Sequence, residues 1–182
     1  MSIGVYPILR KIRSAAFRLM HSDITWPRDV SIGRGVVVAV SDGGRFIAGD
    51  RLVISKDASI TVKYGQLISG QNLFVGQGTV IVARESVVIG NDVMIAEHVT
   101  IRDQSHRIGG PEVTARNGFE TAPINIGDNV WIGAKVTITK GVTIGNNCVI
   151  GANSVVTRDI PNSVVAAGVP ARVLRVINSD CR

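Results

Sequence analysis

Aromatic residues are almost missing from this chain: two tryptophans, two tyrosines and four phenylalanines make up 4% of 182 residues. A core without large flat rings is no jigsaw of unlike shapes. The many isoleucines, valines and glycines point instead to strands packed by small, uniform side chains. Cysteine is as scarce. Cys148 and Cys181 supply neither a disulfide framework nor a zinc cluster, so a reducing cytoplasm is the expected location. Cys148 falls where a small buried residue is wanted, and Cys181 belongs to the C-terminal tail. No apolar run approaches the roughly 20 residues that span a bilayer. The N-terminus lacks a continuous apolar segment with a small-residue cleavage site, so no signal peptide is expected. Acidic residues are outnumbered, 14 against 20 lysines and arginines, for a net charge of +6. That balance attracts anions in general, and nucleic acid is not an expected partner.

What is present is a rhythm. Aliphatic residues recur every six positions at Ile126, Ile132, Ile138, Ile144, Ile150 and Val156. Gly127, Gly133, Gly145 and Gly151 follow four of them, with Thr139 and Thr157 as exceptions. Four residues after each aliphatic stand Val130, Val136, Val142, Cys148, Ser154 and Ile160. Ile32, Gly33 and Val36 begin the same pattern, and Ile54, Ile60, Ile68, Phe74 and Val80 continue it with two-residue slips. A helix would show apolar spacings of three and four, and a half-buried strand strict alternation. Period six suits short flat strands joined by tight corners, with the aliphatic inward and the following glycine permitting the corner. Stacked coils then bury one aliphatic column and satisfy the backbone by parallel pairing. Turn signals every eight to twelve residues, as a β-sandwich requires, are absent.

The segment "INIGDNVWIGAKVTITKGVTIGNNCVIGANSVVTRDIPNSVVAAGVPARVLRVI" closely resembles the hexapeptide-repeat acyltransferases. Within them it is most similar to the maltose/galactoside O-acetyltransferase branch and its relatives that O-acetylate bacterial surface polysaccharides. The resemblance is strong from about Val87 to Ile177, in register from Val30, and does not cover residues 1–25. It implies an all-β fold, a left-handed parallel β-helix over residues 26–177, assembled as a homotrimer with active sites between subunits. The hand comes from the resemblance alone. Residues 178–182 are a tail.

Residues 6–20, "YPILRKIRSAAFRLM", follow another period. Leu9, Ile12, Ala16 and Leu19 or Met20 fall at helical spacing among Arg10, Lys11, Arg13 and Arg18. This short helix, within an N-terminal segment of residues 1–25, either caps the open end of the solenoid or packs in the oligomer, or else lies on the anionic inner face of a membrane.

The rhythm breaks at "IRDQSH", residues 101–106, and resumes at Ile126. Repeat architectures put insertions on a binding face, and residues 107–123 are expected to form a protruding loop. Acyl transfer to a hydroxyl needs a base near the operating pH, for which histidine is the usual choice. His106 stands just before the loop, and by resemblance it is the catalytic base. Asp103 is either a carboxylate orienting its ring or a solvated corner residue. His98 lies in the preceding hexad, where it either has a structural role or lines an acceptor groove. By resemblance Trp131, Ala134, Ala152, Thr157, Arg158, Arg172 and Arg175 contact acetyl-CoA, the guanidinium groups meeting phosphates. Where galactoside-acetylating relatives carry an acceptor-binding asparagine and aspartate, this chain aligns Gly76 and Arg84, with Gln77 and Glu85 adjacent. Arg84 and Arg102 would suit a carbohydrate acceptor with an anionic component. No metal is expected. Two alternatives use the same solenoid: a metalloenzyme like the γ-type carbonic anhydrases, and a non-catalytic nucleotide-binding scaffold.

Overall fold

The computed structural model describes residues 5–21, 24–109 and 116–177. The tail at 178–182 and part of the loop, 110–115, lie outside them. Stacked coils build a prism with three faces. The first carries eight strands, from Val30–Ile32 to Ala171–Val176. The second carries six, from Val37–Ser41 to Val155–Val156, and the third five, from Arg45–Ala48 to Thr143–Ile144. Neighbouring strands on a face are parallel and one coil apart, except the antiparallel last pair of the first face, Val164–Gly168 with Ala171–Val176; Ile101 thus pairs with Ile81 on one side and Ile138 on the other. The winding makes about six turns and is left-handed, as the resemblance implied.

The six-residue aliphatics from Ile126 to Val156 are all buried, and so are the partners four residues on, Cys148 and Ser154 included. Their glycines serve a purpose other than the expected one. The left-handed backbone falls two residues later, on Asn129, Lys135, Asn147 and Asn153, where asparagine is well tolerated. Gly133 is needed for proximity instead: a Cβ there would lie 2.7 Å from the amide nitrogen of Ala152 in the next coil.

In the earlier coils the expected register is wrong by one residue. Ile54 and Ile60 are buried, but Phe74 is 40% exposed and Ile68 and Val80 are half-exposed; Leu67, Val75 and Ile81 point inward. Side chains alternate along a strand, so a one-residue slip exchanges the faces. The cause is a longer coil. Twenty-one residues separate Ile54 from its pair Val75, against 18 between Ile132 and Ile150. The additional length sits at the corner between the second and third faces, where the strands Ser59–Lys63 and Val80–Ala83 outrun Thr137–Ile138.

The helix Val5–Met20 closes the open end. Ser14 Oγ accepts a hydrogen bond from the Ile32 amide at 3.0 Å, and Arg13 donates to the Ile32 carbonyl at 3.2 Å. These bonds satisfy backbone groups of an edge strand that has no earlier coil to pair with. Three of the few aromatic rings gather here: Phe17 meets Trp26 edge-on, and Trp26 meets Phe46 likewise, both at 5.9 Å between centroids.

Candidate active site

The long coils give way to short ones at the corner that follows Arg102, and the chemistry of that corner starts from an unpaired backbone. Lower down, Arg45 and Gln66 donate their amides to the carbonyls of Gly65 and Glu85 in the next coil. By the same pattern Ser86 should find a corner carbonyl one coil on, but there the chain leaves for the loop. Asp103 fills the gap. It continues the inward column of Val62 and Ala83 and is fully buried. Its Oδ2 accepts the amides of Arg84, Glu85 and Ser86 at 2.9, 2.7 and 2.9 Å, and Oδ1 accepts Arg84 at 2.8 Å. Both expectations for Asp103 are thereby corrected. It is neither a solvated corner nor bonded to His106, because its oxygens stand in for a missing coil.

Past Asp103 the chain runs out as the strand Gln104–His106 and returns antiparallel as Phe119–Thr121. The neck is closed by the Ala122 amide on the Asp103 carbonyl and the Arg107 amide on the Gly118 carbonyl. His106 lies opposite Phe119 in this hairpin, with their rings 4.3 Å apart and tilted by 37°. On the ring of Phe119 also rests the Arg84 guanidinium, 4.0 Å from its centre, a favourable cation–π distance. The imidazole is therefore presented at an exposed corner with one face supported by an aromatic ring. Sequence reasoning passed over Phe119, although a lone ring in an aromatic-poor insertion was the available signal.

Beside the hairpin, on the second face, a cavity of about 450 Å³ is lined by Thr100, Arg102, Gln104, Ser105, Thr139 and Lys140, among others. Lys140 also pairs with Glu120 of the returning strand at 3.2 Å. Gln104, likewise overlooked, has a buried Oε1 without a hydrogen-bond partner. A buried acceptor without a partner is costly, and the residue that carries it is part of the cavity wall.

The other named residues divide between edges. Arg84, Glu85, Thr157 and Arg158 share the His106 edge, between the second and third faces. Gln77, His98, Ala134 and Ala152 lie on the edge between the first and second faces, and Trp131 projects from the first face, 53% exposed. The second face separates the two edges, roughly 16–20 Å at 3.3 Å per residue. His98 and His106 therefore belong to different edges, and among the described residues no three histidines, cysteines or acids group as metal ligands. At the far end Arg158 and Arg172 line one hollow of about 140 Å³. Arg175 pairs with Val165 further along the same final strand and does not line it.

Trp131 also belongs to a ladder. Val53, Phe74, Met94, Trp131 and Val149 pair in register up the first face. Phe74, Met94 and Trp131 among them are exposed, an apolar stripe of the kind that marks an interaction surface.

Residues 123–158 match the family model described as bacterial transferase hexapeptide, six repeats. The galactoside O-acetyltransferase of Escherichia coli K12 is 48% identical over 116 residues, covering 63% of this chain and 57% of that protein. An O-acetyl transferase ascribed to lipopolysaccharide biosynthesis in the same organism is 36% identical over 126 residues, covering 65% and 64%. The chain thus spans between about half and two thirds of the length of these curated relatives. Among solved structures, a hexapeptide-repeat acetyltransferase of Vibrio cholerae, complexed with acetyl coenzyme A, superposes with a TM-score of 0.63 at 25% identity. The match covers 92% of this chain and 79% of that one. Repeat, winding and relatives agree: residues 123–158 carry the bacterial transferase hexapeptide repeat, and along most of its length the chain is similar to a hexapeptide-repeat acetyltransferase.

Proposed function

We propose that the chain is an O-acetyltransferase that moves acetyl from acetyl-CoA to a hydroxyl of a carbohydrate, a surface polysaccharide or its precursor, with His106 as general base. The observation that carries this reading is the repeat's interruption by a hairpin that presents an exposed imidazole against Phe119 beside a cavity lined by Arg102, Gln104, Ser105 and Lys140 among others. The relatives named for galactoside and lipopolysaccharide acetylation support the acceptor class, and the neighbour holding acetyl coenzyme A supports the donor.

In the reaction an imidazole nitrogen takes the proton of the acceptor hydroxyl as its oxygen bonds to the thioester carbonyl carbon. The C–S bond then breaks and the proton passes to the departing thiolate. A backbone amide near Ala134 is the oxyanion donor in this scheme, because preorganised amides stabilise developing charge without reorienting. Gln104 and Arg102, which line the cavity, would hold the acceptor. Release of free thiol from acetyl-CoA, measured against a panel of glycans, tests the proposal; no acceptor-dependent release with any carbohydrate would overturn it.

The division of residues between two edges favours a homotrimer. A thioester beside Trp131 and Ala134 cannot meet the His106 of its own chain across the second face. It can meet the His106 of a second copy whose catalytic edge packs beside the first face. Such head-to-tail contacts close into rings, and the exposed Phe74–Met94–Trp131 ladder offers apolar surface for one. Light scattering at assay concentration should report three chains. A fully active monomer would break this scheme.

The donor's phosphates are assigned to the hollow between Arg158 and Arg172. Arg158→Ala with Arg172→Ala should weaken CoA binding about 10²–10⁴-fold, since hydrogen bonds to charged partners contribute about 1.5–3 kcal/mol each. Melting should barely change, because both side chains are exposed. Titration calorimetry would show an unaltered affinity if the phosphates bind elsewhere.

A further inference from the structure

Burial along the N-terminal helix runs against the usual order. A helix covering a core ordinarily turns its apolar stripe inward. Here, among residues 11–20, the buried position is Ser14 and its half-buried neighbours on the helix surface are Arg13 and Phe17. Those three make the contacts with the solenoid and the Trp26 ring. The opposite side carries Ile12, Ala15, Ala16 and Leu19 at spacings of three and four, all exposed, with Met20 beside them. Ile12 is 60% exposed, Leu19 83% and Met20 78%. Among the described residues nothing covers this row. Over residues 11–20 the helix thus docks through Arg13, Ser14 and Phe17 and leaves its aliphatic side chains outside.

The charges beside the row say what would cover it. Lys11 and Arg18 flank it, both exposed, and no aspartate or glutamate occurs in the chain before Asp23. A second copy meeting this face through the same face would bring like charges together. An anionic bilayer surface instead offers acyl chains to Ile12, Leu19 and Met20, and phosphates to Lys11 and Arg18. We propose that the outer face of this helix is a contact for an anionic membrane surface. Because the helix closes one end of the prism, binding sets the solenoid end-on to the lipid. The second-face strand leading to His106 lies three coils beyond the first, about 15 Å at 4.8 Å per coil. A glycan carried on a lipid would reach that corner; this consequence rests on the proposed function, whereas the lipid contact does not.

Co-sedimentation of the full chain with vesicles tests the contact without any enzymatic readout. Vesicles of phosphatidylcholine with about one third phosphatidylglycerol should bind the protein, and pure phosphatidylcholine vesicles should bind it far less. Ile12→Glu with Leu19→Glu should reduce partitioning at least tenfold. Lys11→Glu with Arg18→Glu should reduce it by about fivefold or more per residue. Melting temperature and mass by light scattering should stay as in the wild type, since none of the four side chains is buried. Absence of wild-type binding to the anionic vesicles, or equal binding by both variants, would overturn the proposal. A change of oligomeric mass in Ile12→Glu/Leu19→Glu would do so too, by making the face a protein interface.

Discussion

Replacing His106 with alanine should leave a folded protein that binds CoA normally and has lost acetyl transfer. The fold is spared because the side chain is exposed and its ring contact is with Phe119 in the hairpin. Donor binding is spared because the phosphates, which carry most of the assigned polar contacts, sit in the Arg158–Arg172 hollow coils away at the far end. The reaction is not spared. Without a base the acceptor proton has no destination, and the loss should be about 10²–10⁴-fold in kcat/KM, the usual worth of a general base. Thiol release with a true acceptor measures the loss, and calorimetry with CoA measures what is retained. An alanine variant that transfers acetyl at near the native rate would reduce His106 to ordinary surface.

Asp103→Asn should behave in the opposite way. The residue is three positions from the proposed base, yet its oxygens hold the amides of Arg84, Glu85 and Ser86. An amide side chain keeps one acceptor and turns an NH₂ group toward those donors, in a place fully removed from water. The cost should be about 3 kcal/mol, the range for buried hydrogen bonds to a charged group left partly unmade. For a chain of this size that lowers the melting temperature by roughly 5–10 °C. Activity per folded molecule should fall little at temperatures where the variant remains native. A variant as stable as the parent but catalytically dead would return Asp103 to the role of orienting the imidazole. The two substitutions together separate the corner's architecture from its chemistry.

Much was legible before any coordinates. Period six is neither helical nor alternating, so the coil and its inward column from Ile126 to Val156 could be read residue by residue. His106 stood out because it ends a repeat. The earlier coils were misread because their period is 20 or 21 residues and a single extra position turns Phe74 and Val80 outward. Nothing local marks that slip. The glycines were correctly noticed and given the wrong reason, since the constraint on Gly133 is the backbone of Ala152 in the next coil.

The sequence by itself determined the solenoid, the site of its interruption and the identity of the exposed imidazole, because each is a property of neighbouring residues along the chain. The tertiary structure alone decided what those residues meet. Stacking brings together positions about twenty apart, so only closure of the coils showed Asp103 capping three amides of the coil before it and the Phe119 ring in contact with both His106 and Arg84. The helix shows the same division. Its spacing declared an apolar stripe and a basic edge. Which side would dock was settled by two hydrogen bonds to Ile32, an unpaired edge that no periodicity in the helix could reveal.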